Sequence, residues 1–316
     1  MPRGFLGFAI RRTLFAALLV IVVSSAALAL MAAAPGGHLA GFDLTPEMVA
    51  LEREKLGLDR PFLRQYADWL GKAVRLDFGE SLRYRRPVRD LVTERAVNTA
   101  LLGGAALLVA TLLGIPAGIF TGSRTGAIAS LLRGASIALL SVPPLVTSFV
   151  LLYFAARTRW LPVGGFGVAG ATARATETLT YLALPCLALA LPMAATLERL
   201  QSQTMREALA EPSIEAARAR GCSIARVVWR HALRLSLKPV VALYGLFVGS
   251  VLSGSFAVEI VMSWPGLGAL TYEALVARDL YLVAGCAAAG AAFLAAGVLV
   301  SDVVLAMIDP RVTEAH

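Results

Sequence analysis

The chain is poor in the residues that carry most catalytic and metal chemistry. Three cysteines (Cys186, Cys222, Cys286) and three histidines (His38, His231, His316) are scattered over 316 residues. No CxxC or histidine pair at ligand spacing occurs, so a zinc site or disulfide framework is not expected. No histidine lies in an apolar run beside Ser141, Ser148, Ser250, Ser253 or Ser255, which leaves those hydroxyls without an activating base. A phosphate-cradling P-loop is missing as well. The only Gly-Lys pair is Gly71-Lys72, with Tyr66 where the first glycine should stand and Ala73 where Ser or Thr should follow. The chain is therefore read as a non-enzyme. Charge is scarce too: 16% of residues are charged, against roughly 25% in soluble domains. With 58% hydrophobic residues and a mean hydropathy of +0.72, too little polar material is present to coat a globule. Disorder is excluded by the same figures. The +8 net charge does not form the basic stripe of a nucleic-acid binder, because its arginines alternate with long apolar blocks.

What is present is six stretches free of Asp, Glu, Lys and Arg: Thr13–Phe42, Ala96–Ser123, Gly134–Ala156, Thr178–Leu197, Pro239–Val258 and Leu280–Ser301. Each has the length of about 20 residues that a helix needs to cross a bilayer core of about 30 Å. Backbone groups in lipid must bond internally, so each is expected to be helical. Pro143-Pro144 should kink or break the third. The first stretch follows Arg11-Arg12 and ends near Met31–Ala34, which resembles a signal-peptide cleavage site; its length favours a retained helix. Placing the N-terminus inside puts fourteen Lys and Arg in the inner segments and four in the two short outer loops. The positive-inside rule then sets both termini in the cytosol and the segment from Pro35 to Arg95 outside.

Three divisions are expected: 1–34 as the cytosolic N-terminus and first span, 35–95 as a folded external segment, and 96–316 as a five-helix core with a cytosolic loop over 199–238. In the external segment Thr45-Pro46-Glu47 reads as a helix start and Gly57 as its end. Asp59 should cap a second helix with Phe62, Tyr66, Trp69 and Ala73 on one face. Pro87 should open a third, leading through Leu91 and Val92 into the second span. This segment reads equally as a solvated cap or as a docking surface.

In the inner loop, Pro212 can open a short helix with Glu211 and Glu215 at its start. Ala216, Ala217 and Ala219 follow, and Gly221 can reverse the chain at positive φ. A second amphipathic helix should run over Ser223–Leu237, with Ile224, Val227, Val228, Ala232 and Leu235 spaced for burial. Spacing alone leaves two readings, a connection lying on the headgroups or a knob for a cytosolic partner. Glu259 and Asp302 stand near the ends of the last two spans, where ion pairing or anchoring is favoured over substrate contact.

The run Ile214-Glu215-Ala216-Ala217-Arg218-Ala219-Arg220-Gly221 resembles the EAA loop of ABC-importer permeases. The whole chain is similar to the dipeptide, oligopeptide and nickel branch of that family. The resemblance is carried by Leu56-Gly57-Leu58-Asp59-Arg60-Pro61 with Gln65-Tyr66, by Asp77-Phe78-Gly79-Glu80-Ser81, and by Arg86-Pro87-Val88. Leu161-Pro162-Val163-Gly164-Gly165, Ser263-Trp264-Pro265-Gly266-Leu267-Gly268 and Asp309-Pro310-Arg311 continue it in order. Pro35-Gly36-Gly37-His38 departs from the family's acidic turn there, and Lys238 stands before Pro239 where an apolar residue is usual.

The resemblance implies an all-α inner-membrane protein with six transmembrane helices, of the type I importer permease kind. It implies a translocation path for short peptides, with nickel or another small solute as the alternative and a gradient-driven transporter as the rival of another class. The implied partners are a second permease subunit, two ATP-binding subunits that hold the ATP and Mg, an external solute-binding protein, the peptide substrate and membrane lipid, with no nucleic acid. No cofactor or metal is expected on this chain. Glu215, Ala216, Ala217 and Gly221 are the positions to which the coupling role transfers.

Overall fold

The computed structural model describes residues 3–34, 61–164 and 175–308. Among them the regular elements are helices, joined by one antiparallel bridge between Glu80 and Pro87. In chain order they are α1 (Arg3–Ala33), α2 (Phe62–Ala73), α3 (Val88–Ser123), α4 (Ala127–Leu140), α5 (Pro144–Thr158), α6 (Ala175–Leu209), α7 (Pro212–Ala219), α8 (Ile224–Arg226), a π-helical stretch (Val227–Ala232), α9 (Leu233–Val261), α10 (Leu267–Val276) and α11 (Leu280–Ile308). Among the described residues five helical segments are long and apolar enough to cross a membrane: Arg11–Ala33, Val88–Ser123, Thr178–Leu209, Ile224–Val251 and Leu280–Val300. The remaining expected span, the third, is two helices, α4 and α5, bent by 107° at their junction.

That break has a local cause. Pro143 and Pro144 are adjacent and neither can donate a backbone hydrogen bond. The last amides to close back onto α4 are those of Ser141 and Val142, and the Pro143 carbonyl accepts the amides of Val146 and Thr147 at 3.0 and 3.1 Å to start a new helix. Proline at the first position of α5 has its φ already set for a helix.

The helices also run past the charge-free stretches. α3 starts at Val88 rather than Ala96, α6 continues to Leu209 rather than stopping at Leu197, and α9 starts ahead of Pro239. Lack of charge marks the part of a helix immersed in hydrocarbon. The backbone ladder continues into water, where charged side chains cost nothing. The Arg199–Leu209 stretch, expected as the start of the loop over 199–238, is thus the extension of a spanning helix.

Two compact units divide the chain: 1–99 with 265–296, and 100–264 with 297–316. The expected division after Arg95 falls inside α3, which runs through it without interruption.

In the first unit the expected helix after Asp59 is α2, with Pro61 rather than Asp59 at its N-cap. Asp59 itself and the expected helix over Thr45–Gly57 lie outside the described residues. Trp69 of α2 is buried in a cluster with Leu28 of α1 and Leu280 and Ala284 of α11, and Ala73 packs against it. The Tyr66 and Ser25 hydroxyls are 2.9 Å apart. Between α2 and α3 the chain makes a tight hairpin. Its Ser81 hydroxyl donates to Asp279 Oδ2 at 2.6 Å, and the Arg83 amide donates to the same oxygen at 3.1 Å. The Leu282 amide donates to Asp279 Oδ1 at 3.2 Å. At the start of the membrane part, Asn98 Nδ2 donates to the Pro265 carbonyl at 2.8 Å and the Leu267 amide donates to Thr99 Oγ1 at 2.7 Å.

In the second unit α6 packs against α4, α5 and α9. Its core joins Leu102, Ala106 and Ala110 of α3 to Ala188, Leu189 and Leu197 of α6 and to Val240, Phe247 and Val258 of α9. α3 and α6 approach closely through Gly114, Gly118 and Gly122, a small-residue stripe at every fourth position. A Cβ at Gly118 would stand 2.6 Å from Gln201 Cβ and 2.7 Å from the Glu198 carbonyl oxygen. At Gly122 it would stand 2.7 Å from both Met205 Cβ and the Ser202 carbonyl oxygen.

A candidate coupling site at the end of the second unit

The loop that carries the strongest sequence pattern is a helix–turn–helix built on the extended end of α6. Pro212 sits in the first turn of α7, and Glu211 holds the N-cap position in an extended conformation. Asp and Glu near this end meet the positive pole of the helix. α7 closes as a Schellman turn: the Cys222 amide donates to the Ala217 carbonyl at 3.2 Å and the Gly221 amide to the Arg218 carbonyl at 2.9 Å. Gly221 adopts φ +83° there, which a β-carbon would strain. Ser223 then caps the next helix, its hydroxyl accepting the Arg226 amide at 3.4 Å.

One face of α7 is anchored. Ile214 is buried with Ile119 of α3, Met205 and Ala208 of α6, and Val227, Val228 and Ala232 of the π-helical stretch. The structure separates the four residues singled out from sequence. Glu215, Ala216 and Gly221 are exposed, whereas Ala217 is buried, on the anchoring side with Ile214. Within this chain only the first three present a surface. Arg218, Ala219 and Arg220 are exposed beside them. In the second helix Val227, Val228 and Ala232 are buried as expected, but Ile224 and Leu235 are exposed. The π-helical turns over Val227–Ala232 shift the side-chain register, so a strict 3.6-residue period misplaces the residues flanking them.

α6 carries a set of buried polar side chains ahead of the α7 anchor. Glu198 of α6 is 3% exposed and accepts a hydrogen bond from the buried Thr121 hydroxyl of α3. Gln201 Nε2 donates to Ser236 Oγ of α9 at 2.9 Å, and the Ser236 hydroxyl donates to the Leu233 carbonyl at 3.2 Å. These bonds tie three helices together next to the α7 anchor. Glu198, Gln201, Ser202 and Met205 recur at helical spacing opposite Gly114, Gly118 and Gly122, the one signal that could have revealed this contact. Of the two other acids noted, Glu259 is fully buried in α9. Asp302 lies in α11, and its side chain is outside what the structure describes.

The fold and this site define a multi-span helical membrane protein that presents one short, firmly anchored helix at a membrane face. Residues 114–314 match the family of the binding-protein-dependent transport system inner membrane component, and residues 5–102 match the N-terminal family of the same membrane components. The chain belongs to this family and is a multi-pass inner-membrane permease subunit. It is 31% identical over 312 residues to the oligopeptide transport system permease protein AppB of Bacillus subtilis, covering 96% of this chain and 98% of that one. It is 32% identical over 316 residues to the oligopeptide transport system permease protein OppB of Salmonella typhimurium, covering 97% and 99%. It is 31% identical over 286 residues to the dipeptide transport system permease protein DppB of Lactococcus lactis, covering 90% and 91%.

Proposed function

We propose that this chain forms half of the membrane path of an ATP-driven importer for short peptides, paired with a second permease subunit. An external solute-binding protein delivers the peptide, and two ATP-binding subunits carrying ATP and Mg drive the cycle from the cytosol, where both termini and α7 lie. Peptides are favoured over nickel because the relatives carry oligopeptide and dipeptide permease names over nearly their whole length. The observation that carries the coupling role is the geometry of α7, a short helix with one face exposed, one face anchored through Ile214, and a left-handed glycine closing it.

In this reading α7 sits in a cleft of an ATP-binding subunit. Glu215 offers a carboxylate to a basic group there, Ala216 permits close approach, and Gly221 sets the turn. Ala217 acts from inside, holding α7 to its own subunit. A push on α7 passes to α6 through the short connection Ala210–Glu211 and to α3 through the Ile214–Ile119 contact. The glycine stripe and the Thr121–Glu198 bond then make α3 and α6 respond together.

The test is peptide uptake by the reconstituted complex carrying Gly221→Asp, with membrane level and stimulated ATP hydrolysis measured in parallel. The substitution puts a charge at the docking face and a β-carbon at φ +83°. The expected outcome is normal insertion with uptake lost. Uptake at the wild-type rate, or solute movement by this chain alone in vesicles without ATP, overturns the reading in favour of a gradient-driven transporter.

A further inference from the structure

At the α7 end of the second unit, α4 and α6 enclose a groove of about 490 Å³. Five charged side chains line it: Arg133 from α4, and Glu198, Arg199, Arg206 and Glu207 from α6. Opposite charges sharing one groove ordinarily pair. Among the described residues no guanidinium here reaches a carboxylate. Each acid takes a neutral donor instead, Thr121 for Glu198 and Gln203 Nε2 at 3.0 Å for Glu207. Arg206 Nη2 donates to the Ser202 hydroxyl at 2.9 Å, and Arg133 Nη2 to the Arg124 carbonyl at 3.4 Å. Arg133 Nε is buried without a partner. The groove thus holds unneutralised charge of both signs side by side, which suits a ligand that also carries both.

Its depth in the fold says what kind of ligand that is. Arg133 is the last charge before the apolar stretch that begins at Gly134, and Glu198 is the first after the stretch that ends at Leu197. The groove therefore lies where hydrocarbon gives way to water, the level of lipid headgroups. On α4, Ile137 and Leu140 stand exposed on the apolar side of it, as a surface for acyl chains requires.

We propose that this groove binds the headgroup of a zwitterionic aminophospholipid. The phosphate sits on the guanidinium groups of Arg133, Arg199 and Arg206, whose planar donors match its oxygens. The primary ammonium sits on Glu198 and Glu207, giving the buried Glu198 carboxylate the counter-charge that Thr121 does not supply. A primary ammonium has three donors for this, whereas a quaternary ammonium has none, so the groove distinguishes the two. The inference needs only that the chain spans a membrane, and it stands apart from the transported solute and the ATP-binding subunits.

The test is native mass spectrometry of the permease complex in mild detergent, titrated in turn with phosphatidylethanolamine, phosphatidylglycerol and phosphatidylcholine. Phosphatidylethanolamine should be retained roughly tenfold more than phosphatidylcholine, the size of effect expected for a charge-assisted hydrogen bond. Glu207→Gln should narrow that ratio and leave phosphatidylcholine retention unchanged. Arg199→Ala should lower retention of all three lipids, with the elution volume of the complex unaltered. Equal retention of the three, a preference for phosphatidylglycerol, or a ratio indifferent to Glu207→Gln overturns the proposal. Efficient crosslinking of Arg133→Cys to the second permease subunit in native membranes also overturns it, because the groove is then a protein interface.

Discussion

Ser81 and Asp279 stand 198 positions apart and share a hydrogen bond of 2.6 Å. Both are fully buried, and Asp279 also accepts the amides of Arg83 and Leu282. One carboxylate therefore holds the hairpin after α2 and begins α11. Asp279→Ala removes three charge-assisted bonds and leaves the buried Ser81 hydroxyl with no acceptor there for its proton, its oxygen still accepting the Tyr84 amide at 3.2 Å. The expected loss is about 3 kcal/mol of stability, read as a lower thermal midpoint in detergent. Asp279→Asn, which keeps one carbonyl acceptor, should lose less. An unchanged midpoint for the alanine variant would show that the hairpin is not fixed by this residue.

The same hairpin carries Tyr84, whose hydroxyl donates to the Glu273 carboxylate. Burial first, then the hydrogen bond and charge of Glu273, raise the phenol above the ordinary value of 10.0, with Arg83 and Arg95 opposing. A pKa raised by folding means the protonated form is the one the fold favours. The stabilisation is thus complete below pH 10.0 and is lost as pH rises through the folded value. Tyrosinate absorbance should show a late-titrating component, and Tyr84→Phe should reduce its amplitude. A difference spectrum with no late component would refute it.

Gly118 sets how close α3 comes to α6. Gly118→Val places a branched side chain where even a Cβ lies within 2.6 Å of Gln201. The cost of such overpacking is about 1–3 kcal/mol, and separating the helices would also disturb the Thr121–Glu198 bond. The expected phenotype is a less stable protein whose stimulated ATP hydrolysis no longer drives uptake. Gly104, where an added Cβ meets nothing, should accept alanine without effect, and a matching loss there would refute the close-approach argument.

Ile214 is the anchor of α7. Ile214→Ala should cost about 2–4 kcal/mol by cavity formation and loosen α7 without altering its exposed face. Limited proteolysis between Glu211 and Arg226 should speed up, while α2, in the other unit, keeps its wild-type rate. Equal protection of the two segments would mean that α7 is held by its neighbours along the chain alone.

Sequence alone determined the class of this protein, because hydrocarbon imposes a constraint visible residue by residue. Long charge-free stretches, a proline pair and a glycine after an alanine-rich turn each act through local chemistry, and the spans, the α4–α5 break and the α7 turn followed from them. The limits of the spanning helices were not legible in the same way, since the absence of charge reports immersion in lipid whereas a helix persists in water.

What the tertiary structure decided is which side chains meet. Ala216 and Ala217 are alike in sequence, yet one is exposed and the other buried, because α7 is rotated to seat Ile214 against Ile119 and Met205. Ser81 with Asp279 and Thr121 with Glu198 are pairs that no local pattern can join. Their geometry depends on helix packing across long separations, where close approach is set by glycines on one helix and by whatever the facing helix places opposite them.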